Sequence, residues 1–179
     1  MRVKALSQGS LSANSNYEAS AMKFADFICF EASLPQLDAV ERDEAITALV
    51  QSLDKAGKLG PGLCQELTKA VIDRENEAST GMGKGVAVPH VKHPAVKEVI
   101  GAVGQCTHGI DFSALDKQLV FSMVLILSPA ENPDKHLRAM EGVFKHLQYE
   151  KFRKFLRQSN TTELVEDLLR EADENPSWL

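Results

Sequence analysis

The sequence predicts an α/β or mixed α+β protein, one β-sheet covered by helices. Three observations point there. Leu119 to Leu127 is a nearly continuous apolar run, as expected of a strand buried on both faces. Apolar residues at helical spacing recur on both sides of that run, so helices and strands alternate instead of forming separate blocks. The stretch Ser79-Thr80-Gly81-Met82-Gly83-Lys84-Gly85-Val86-Ala87-Val88-Pro89-His90 joins a glycine-rich loop to a short buried strand closed by proline. At 179 residues the chain is long enough for one domain with a sizeable core.

Residues 1–21 are rich in Ser, Asn, Ala and Gln and are expected to form a flexible extension, with Met22 as an alternative start. Phe24, Phe27, Ile28 and Phe30 form an apolar opening segment for the domain edge. Asp38 is the expected N-cap of the first long helix, with Glu41 at capping-box spacing. Val40, Ile46, Leu49, Val50 and Leu53 then recur to about Lys55, and Gly57 stops the helix. A second helix runs from about Gly62 to Glu75, after Pro61, with Leu63, Leu67, Ala70 and Val71 on one face. Its charged end, Asp73 to Ala78, leads into the glycine loop.

After His90, Val91 to Pro94 reads as a loop and Val96 to Cys106 as a strand, with Gly101 and Gly104 as weak points in it. Gly109 to Gln118 is expected to be a compact loop whose Phe112 and Leu115 plug the core. Ser128 to Pro133 ends the apolar strand. A helix follows from about Asp134 to Gln148, carrying Leu137, Met140, Val143, Phe144 and Leu147. Lys151 to Leu156 is a further short helix. Asn160 with Glu163 sets a capping box for the last helix, whose apolar side is Leu164, Val165, Leu168 and Leu169. Residues 173–179 are expected to fray.

Bulk properties narrow the function. Twenty basic residues against twenty-five acidic ones give a formal charge of −5, with no long basic run, which disfavours nucleic acid and anionic membrane as partners. No apolar run is long enough to cross a bilayer, and the N-terminus lacks the apolar core of a secretion signal. Cys29, Cys64 and Cys106 are odd in number and widely spaced, so reduced, mostly buried thiols in a cytoplasmic protein are expected.

Five histidines are candidates for chemistry. His90 stands out because it ends a short strand beside a glycine loop, and His136 because it opens a helix directly after the buried strand. In an open sheet these two ends can converge. Arg74 could aim a guanidinium fork across the loop at a phosphate; as a bland alternative, Arg74, Glu75 and Glu77 form a solvated helix end. Ser79, Thr80, Gly81 and Gly83 could donate to the same oxygens, or could simply form a turn. The glycine spacing matches neither a dinucleotide fingerprint nor a P-loop, which disfavours nucleotides at the loop. His90 and His93 have an H-x-x-H spacing, and Cys106 and His108 offer two more soft ligands for zinc, but no paired Cys-x-x-Cys supports a site. No hydrolase layout is present.

Arg74-Glu75, then Ser79-Thr80-Gly81-Met82-Gly83-x-Gly85-Val86-Ala87-Val88-Pro89-His90-x-Lys92, resembles the signature of the enzyme IIA proteins of the bacterial phosphoenolpyruvate-dependent phosphotransferase system, fructose/mannitol and nitrogen-regulatory class. Ile110-Asp111-Phe112-x-Ala114-Leu115-Asp116-x-Gln118-x-Val120 and Pro129 followed by His136-Leu137 agree in order and spacing. The resemblance runs from about Phe24 to Leu169 and implies a single mixed β-sheet flanked by helices and a carrier domain over residues 22–172. It implies that His90 accepts a phosphoryl group from an HPr-type phosphohistidine carrier, with Arg74 and His136 flanking it and no cofactor or metal. The receiver would be an enzyme IIB domain, or the protein would be a regulatory module switched by phosphorylation. With no IIB or membrane segment in these residues, the nitrogen-regulatory type is expected over the sugar-specific one. Two departures stand out: Val91 follows the histidine where glycine is common, and Lys84 replaces a frequent asparagine, adding positive charge expected to lie near the site.

Overall fold

A computed structural model describes residues 21–175. Most of the expected N-terminal extension, and the last four residues of the expected tail, lie outside them. Helices α1 (Phe24–Phe27), α2 (Arg42–Lys55) and α3 (Leu63–Glu77) precede strands β1 (Gly81–Gly83), β2 (Val86–Ala87), β3 (His90–His93), β4 (Ile100–Ile110) and β5 (Val120–Pro129). Helices α4 (Pro133–Leu147), α5 (Glu150–Gln158) and α6 (Thr162–Glu174) follow. This is the mixed sheet flanked by helices that the sequence predicts.

Strand β5 is the axis of the sheet. On one flank it pairs antiparallel with β4; on the other, β2 and β3 both run parallel to it, with β1 hairpinned onto β2. Val86 aligns with Ser122 and His90 with Ile126, so β2 and β3 form one interrupted strand. Pro89 causes the interruption: it has no N–H to give, while its carbonyl still accepts from Ile126 N–H at 2.9 Å.

Helices cover both faces, which explains the unbroken apolarity of β5. Met123, Leu125 and Leu127 join the core built on α2 and α3. Val124 and Ile126 point the other way and pack with residues of α1, α4, α5 and α6. Gly101 is no weak point in β4. A Cβ there would stand 2.4 Å from the Leu125 carbonyl oxygen and against Ile28, so the close strand approach requires glycine.

Several expectations are corrected. The segment Val91 to Pro94 is not all loop, because three of its residues pair with β5 as β3. Helix α2 is capped at Glu41 instead of Asp38: the Glu44 carboxylate accepts from Val40 and Glu41 N–H at 3.0 and 3.3 Å. Val40 is therefore outside the helix and exposed. Thr161, not Asn160, caps α6, its hydroxyl accepting from Leu164 N–H. Phe112 is fully buried as expected, but Leu115 is 93 % exposed, and Leu137, Phe144 and Leu164 are also at the surface. At the far end, Asp173 and Glu174 remain helical, and the Asp173 carboxylate accepts from Phe24 and Ala25 N–H, holding α1 to α6.

Candidate functional site

The two histidines singled out by the sequence meet. His90 opens β3, held beside the carboxyl-terminal half of β5, and His136 lies in the first turn of α4, directly after β5. Asn132 caps that turn by accepting from Lys135 N–H, with Pro133 at the first helical position. The ring centroids of His90 and His136 are 5.4 Å apart, tilted by 39°. His136 thus follows the carboxyl end of β5, and His90 lies alongside the carboxyl-terminal half of the same strand.

His90 is half-buried, and its Nδ1 is 2.7 Å from the Val88 carbonyl oxygen. A carbonyl only accepts, so Nδ1 carries the hydrogen and the neutral ring keeps its free lone pair on Nε2. Burial lowers the His90 pKa; the Val88 bond opposes this, and the Arg74 charge reinforces it. The ring is neutral at neutral pH. His136 is buried more fully and its pKa is lowered to about 4, chiefly by burial and then by the charges of His90, Lys92 and Arg74.

Arg74, in the last turn of α3, donates from Nη1 to the Ala78 carbonyl at 3.0 Å and is close enough to act on both histidines. Its neighbour Glu75 is not on a solvated helix end. It is 2 % exposed, and its carboxylate accepts from Thr80 N–H and Thr80 Oγ1, each at 2.6 Å. This clamp ties the end of α3 to the start of the loop.

The expected phosphate donors are largely committed within the chain. Both Thr80 donors go to Glu75. Ser79 donates its hydroxyl to the Phe112 carbonyl and accepts Gly81 N–H at 3.0 Å. Gly83 lies at the far side of the β1–β2 hairpin, against the Asp116 carboxylate. The structure therefore brings together His90, His136 and Arg74, while Ser79, Thr80 and Gly81 tie the loop to the end of α3 and to Phe112, and Gly83 stands away at the hairpin turn.

Lys84 is not beside the histidines. It lies at the β1–β2 turn, on the far side of Val86, and Val86 pairs with β5 four residues before the partner of His90. Three residues went unselected in the sequence. Glu75 is one, Lys92 is felt electrostatically by both histidines, and Ser128 Oγ is 2.9 Å from His136 Nδ1. Glu75 and Lys92 both stand inside the quoted motif, as Arg74-Glu75 and His90-x-Lys92, while Ser128 gave no sequence signal.

The metal alternatives do not assemble. His90 and His93 sit on a strand, where positions three apart face opposite sides, and His93 Nε2 pairs instead with Glu66 at 3.1 Å. His108 Nε2 is 2.8 Å from the Ala39 carbonyl and 3.2 Å from Cys106 Sγ. Among the described residues no three His, Cys, Asp or Glu side chains converge on a metal position. No described helix is long and apolar enough to cross a membrane.

Comparison with known proteins agrees with this geometry. Residues 30–172 match the family model of the phosphoenolpyruvate-dependent sugar phosphotransferase system, EIIA 2. The chain is 29 % identical over 152 residues to the fructose-specific EIIABC component of Bacillus subtilis, covering 85 % of this chain but only 24 % of that relative's length. It is 28 % identical to a nitrogen regulatory protein of Bradyrhizobium diazoefficiens, covering 83 % of this chain and 95 % of the relative. Among solved structures, nitrogen regulatory protein IIA-Ntr of Neisseria meningitidis superposes with a TM-score of 0.74 at 21 % identity, covering 82 % and 98 % of the two chains. The mannitol IIA enzyme of Escherichia coli, solved in complex with phosphorylated mannitol IIB, superposes with a TM-score of 0.67 at 22 % identity, covering 79 % and 95 %.

Proposed function

The chain belongs to the EIIA 2 family of the phosphoenolpyruvate-dependent sugar phosphotransferase system, and we propose that it works as a cytoplasmic phosphoryl carrier whose acceptor atom is Nε2 of His90. One observation carries the reading. The 2.7 Å bond from Nδ1 to the Val88 carbonyl leaves Nε2 as the nucleophilic nitrogen, next to His136 and within the field of Arg74.

The donor is an HPr-type protein with a phosphorylated histidine. The Nε2 lone pair attacks phosphorus as the donor's N–P bond breaks, and that bonding pair returns to the donor imidazole. Phosphorylated imidazolium and imidazole thus exchange roles, and no proton leaves either ring. His90 keeps its Nδ1–H, and the resulting positive ring is held by the Val88 carbonyl. From this cationic phosphoimidazole the leaving group of the next transfer is neutral imidazole, a good one. Phosphoryl transfer through a loose transition state needs positioned positive charge and donors more than covalent help. Arg74 supplies the charge, and His136 the neighbouring donor.

The regulatory type is the favoured role, supported by the relative that this chain spans over 95 % of its length. A second reading, a sugar-specific IIA that passes its group to a separate IIB, is supported by the fructose-specific relative and by the mannitol IIA–IIB complex. Incubation with phosphoenolpyruvate, enzyme I and HPr-type carriers tests the proposal by intact mass. The expected result is one acid-labile phosphate per chain; no gain with any such donor contradicts it.

A further inference from the structure

A concave cavity of about 550 Å³ opens at the other end of the β2–β5 pair from His90, between the Lys84–Gly85 turn and helix α5. Its cationic lining is Lys84, Arg153, Lys154 and Arg157, against a single carboxylate, Glu150. In a chain of net charge −5 this is a local reversal of sign. The α5 residues recur at i, i+3, i+4 and i+7, so one face of the helix turns its charges to the cavity. Among the described residues no carboxylate forms an ion pair with any of the four cations.

The cavity wall is built. Arg157 stacks its guanidinium 3.5 Å from the centre of the Phe121 ring, which orients it. Arg153 is held from one nitrogen, Nη1 donating to the Leu147 and Gln148 carbonyls at 2.7 and 2.8 Å. Lys84 at φ 56° and Gly85 at φ 79° both occupy the left-handed region, as a two-residue hairpin turn between β1 and β2 requires. The Asp116 carboxylate accepts Lys84 N–H at 2.7 Å and holds that turn.

From this placement we infer that the cavity is a second ligand site, for a small metabolite carrying two or more phosphate groups. Two preset guanidinium groups and two lysines match several phosphate oxygens. A concave lining of four cations against one carboxylate focuses the field on a bound anion, and the volume is that of a small-molecule site, about 300–1,000 Å³. Folded partner proteins need a flatter and wider surface, about 800 Å² on each side. The inference is independent of phosphoryl transfer at His90.

Amide NMR titration of the full chain with pyrophosphate, adenosine triphosphate and fructose 1,6-bisphosphate, each at physiological salt, tests it. The expected result is saturable shifts at Lys84, Gly85, Phe121 and the α5 face with at least one probe. The tightest probe identifies the scaffold that carries the phosphates. The double variant Lys84→Gln/Arg157→Gln is expected to weaken binding by about tenfold or more. Lys151→Gln, on the same helix but outside the cavity, is expected to leave it unchanged. Absence of saturable binding by all three at millimolar concentration overturns the inference, as does equal affinity in the double variant when its spectrum shows an intact fold.

Discussion

Ser128 and His136 share one buried hydrogen bond, with Oγ 2.9 Å from Nδ1. Ser128 is fully buried, and its hydroxyl has no other partner among the described residues. If Nδ1 held the hydrogen, the serine hydrogen would be stranded, a cost of about 1–3 kcal/mol. The economical assignment is that Ser128 donates to Nδ1, so His136 carries its hydrogen on Nε2. The neutral ring then offers a donor where a phosphoryl group on His90 would need one.

Ser128→Ala frees the His136 tautomer. Loss of a bond worth about 1 kcal/mol is expected to slow phosphoryl acceptance roughly fivefold, while Ser128→Thr retains it. A long-range ¹H–¹⁵N spectrum checks the cause. It should show His136 with hydrogen on Nε2 in the parent chain and a mixture in the alanine variant. An unchanged tautomer and unchanged rate would refute this role for Ser128.

Glu75→Ala strands two Thr80 donors that both end at one carboxylate. The expected loss is about 2–4 kcal/mol of stability by urea denaturation, since each unmet buried donor costs about 1–3 kcal/mol. Glu77→Ala, exposed at the end of the same helix, is the comparison and should lie within about 0.5 kcal/mol of the parent.

Acid pH should destabilise the fold through its histidines. His136, lowered to about 4, and His90 and His146, lowered mainly by burial, bind fewer protons folded than unfolded between their folded pKa and about 6.5. In that window the unfolded state gains protons first, so stability is full above about pH 6.5 and falls as pH drops toward 4. Thermal melts at pH 7 and pH 5 test this. The melting temperature should be lower at pH 5, and His136→Asn should reduce the difference; an unchanged difference would refute the assignment to His136.

Gly101→Ala drives a methyl against the Leu125 carbonyl, 2.4 Å away. An expected loss of about 1–3 kcal/mol, or more if β4 cannot yield, follows from overpacking. Equilibrium unfolding measures it, and a neutral result would mean that β4 relaxes freely.

Much of this was legible in the sequence, for reasons that differ by element. Strand β5 announced itself because both its faces meet helices, leaving no polar alternation. Arg74, His90 and His136 were legible through motif spacing. What escaped depended on tertiary contacts. Glu75 looked like surface charge until Thr80 folded back on it, and Ser128 meets His136 only because α4 turns back over the end of β5. Leu115 has the composition of a core residue, yet the loop buries Phe112 and turns Leu115 outward. Lys84 is near His90 in the chain, but the extended β2–β3 path carries the two apart.

Phosphoryl transfer as proposed places the group on Nε2 of His90. The direct measurement is a long-range ¹H–¹⁵N spectrum with ³¹P detection on ¹⁵N-labelled, phosphorylated protein. The expected result is one phosphorus bonded to Nε2 of His90, with Nδ1 still protonated, and no phosphate in His90→Ala. Phosphorus on Nδ1 of His90, or on His136, would contradict it.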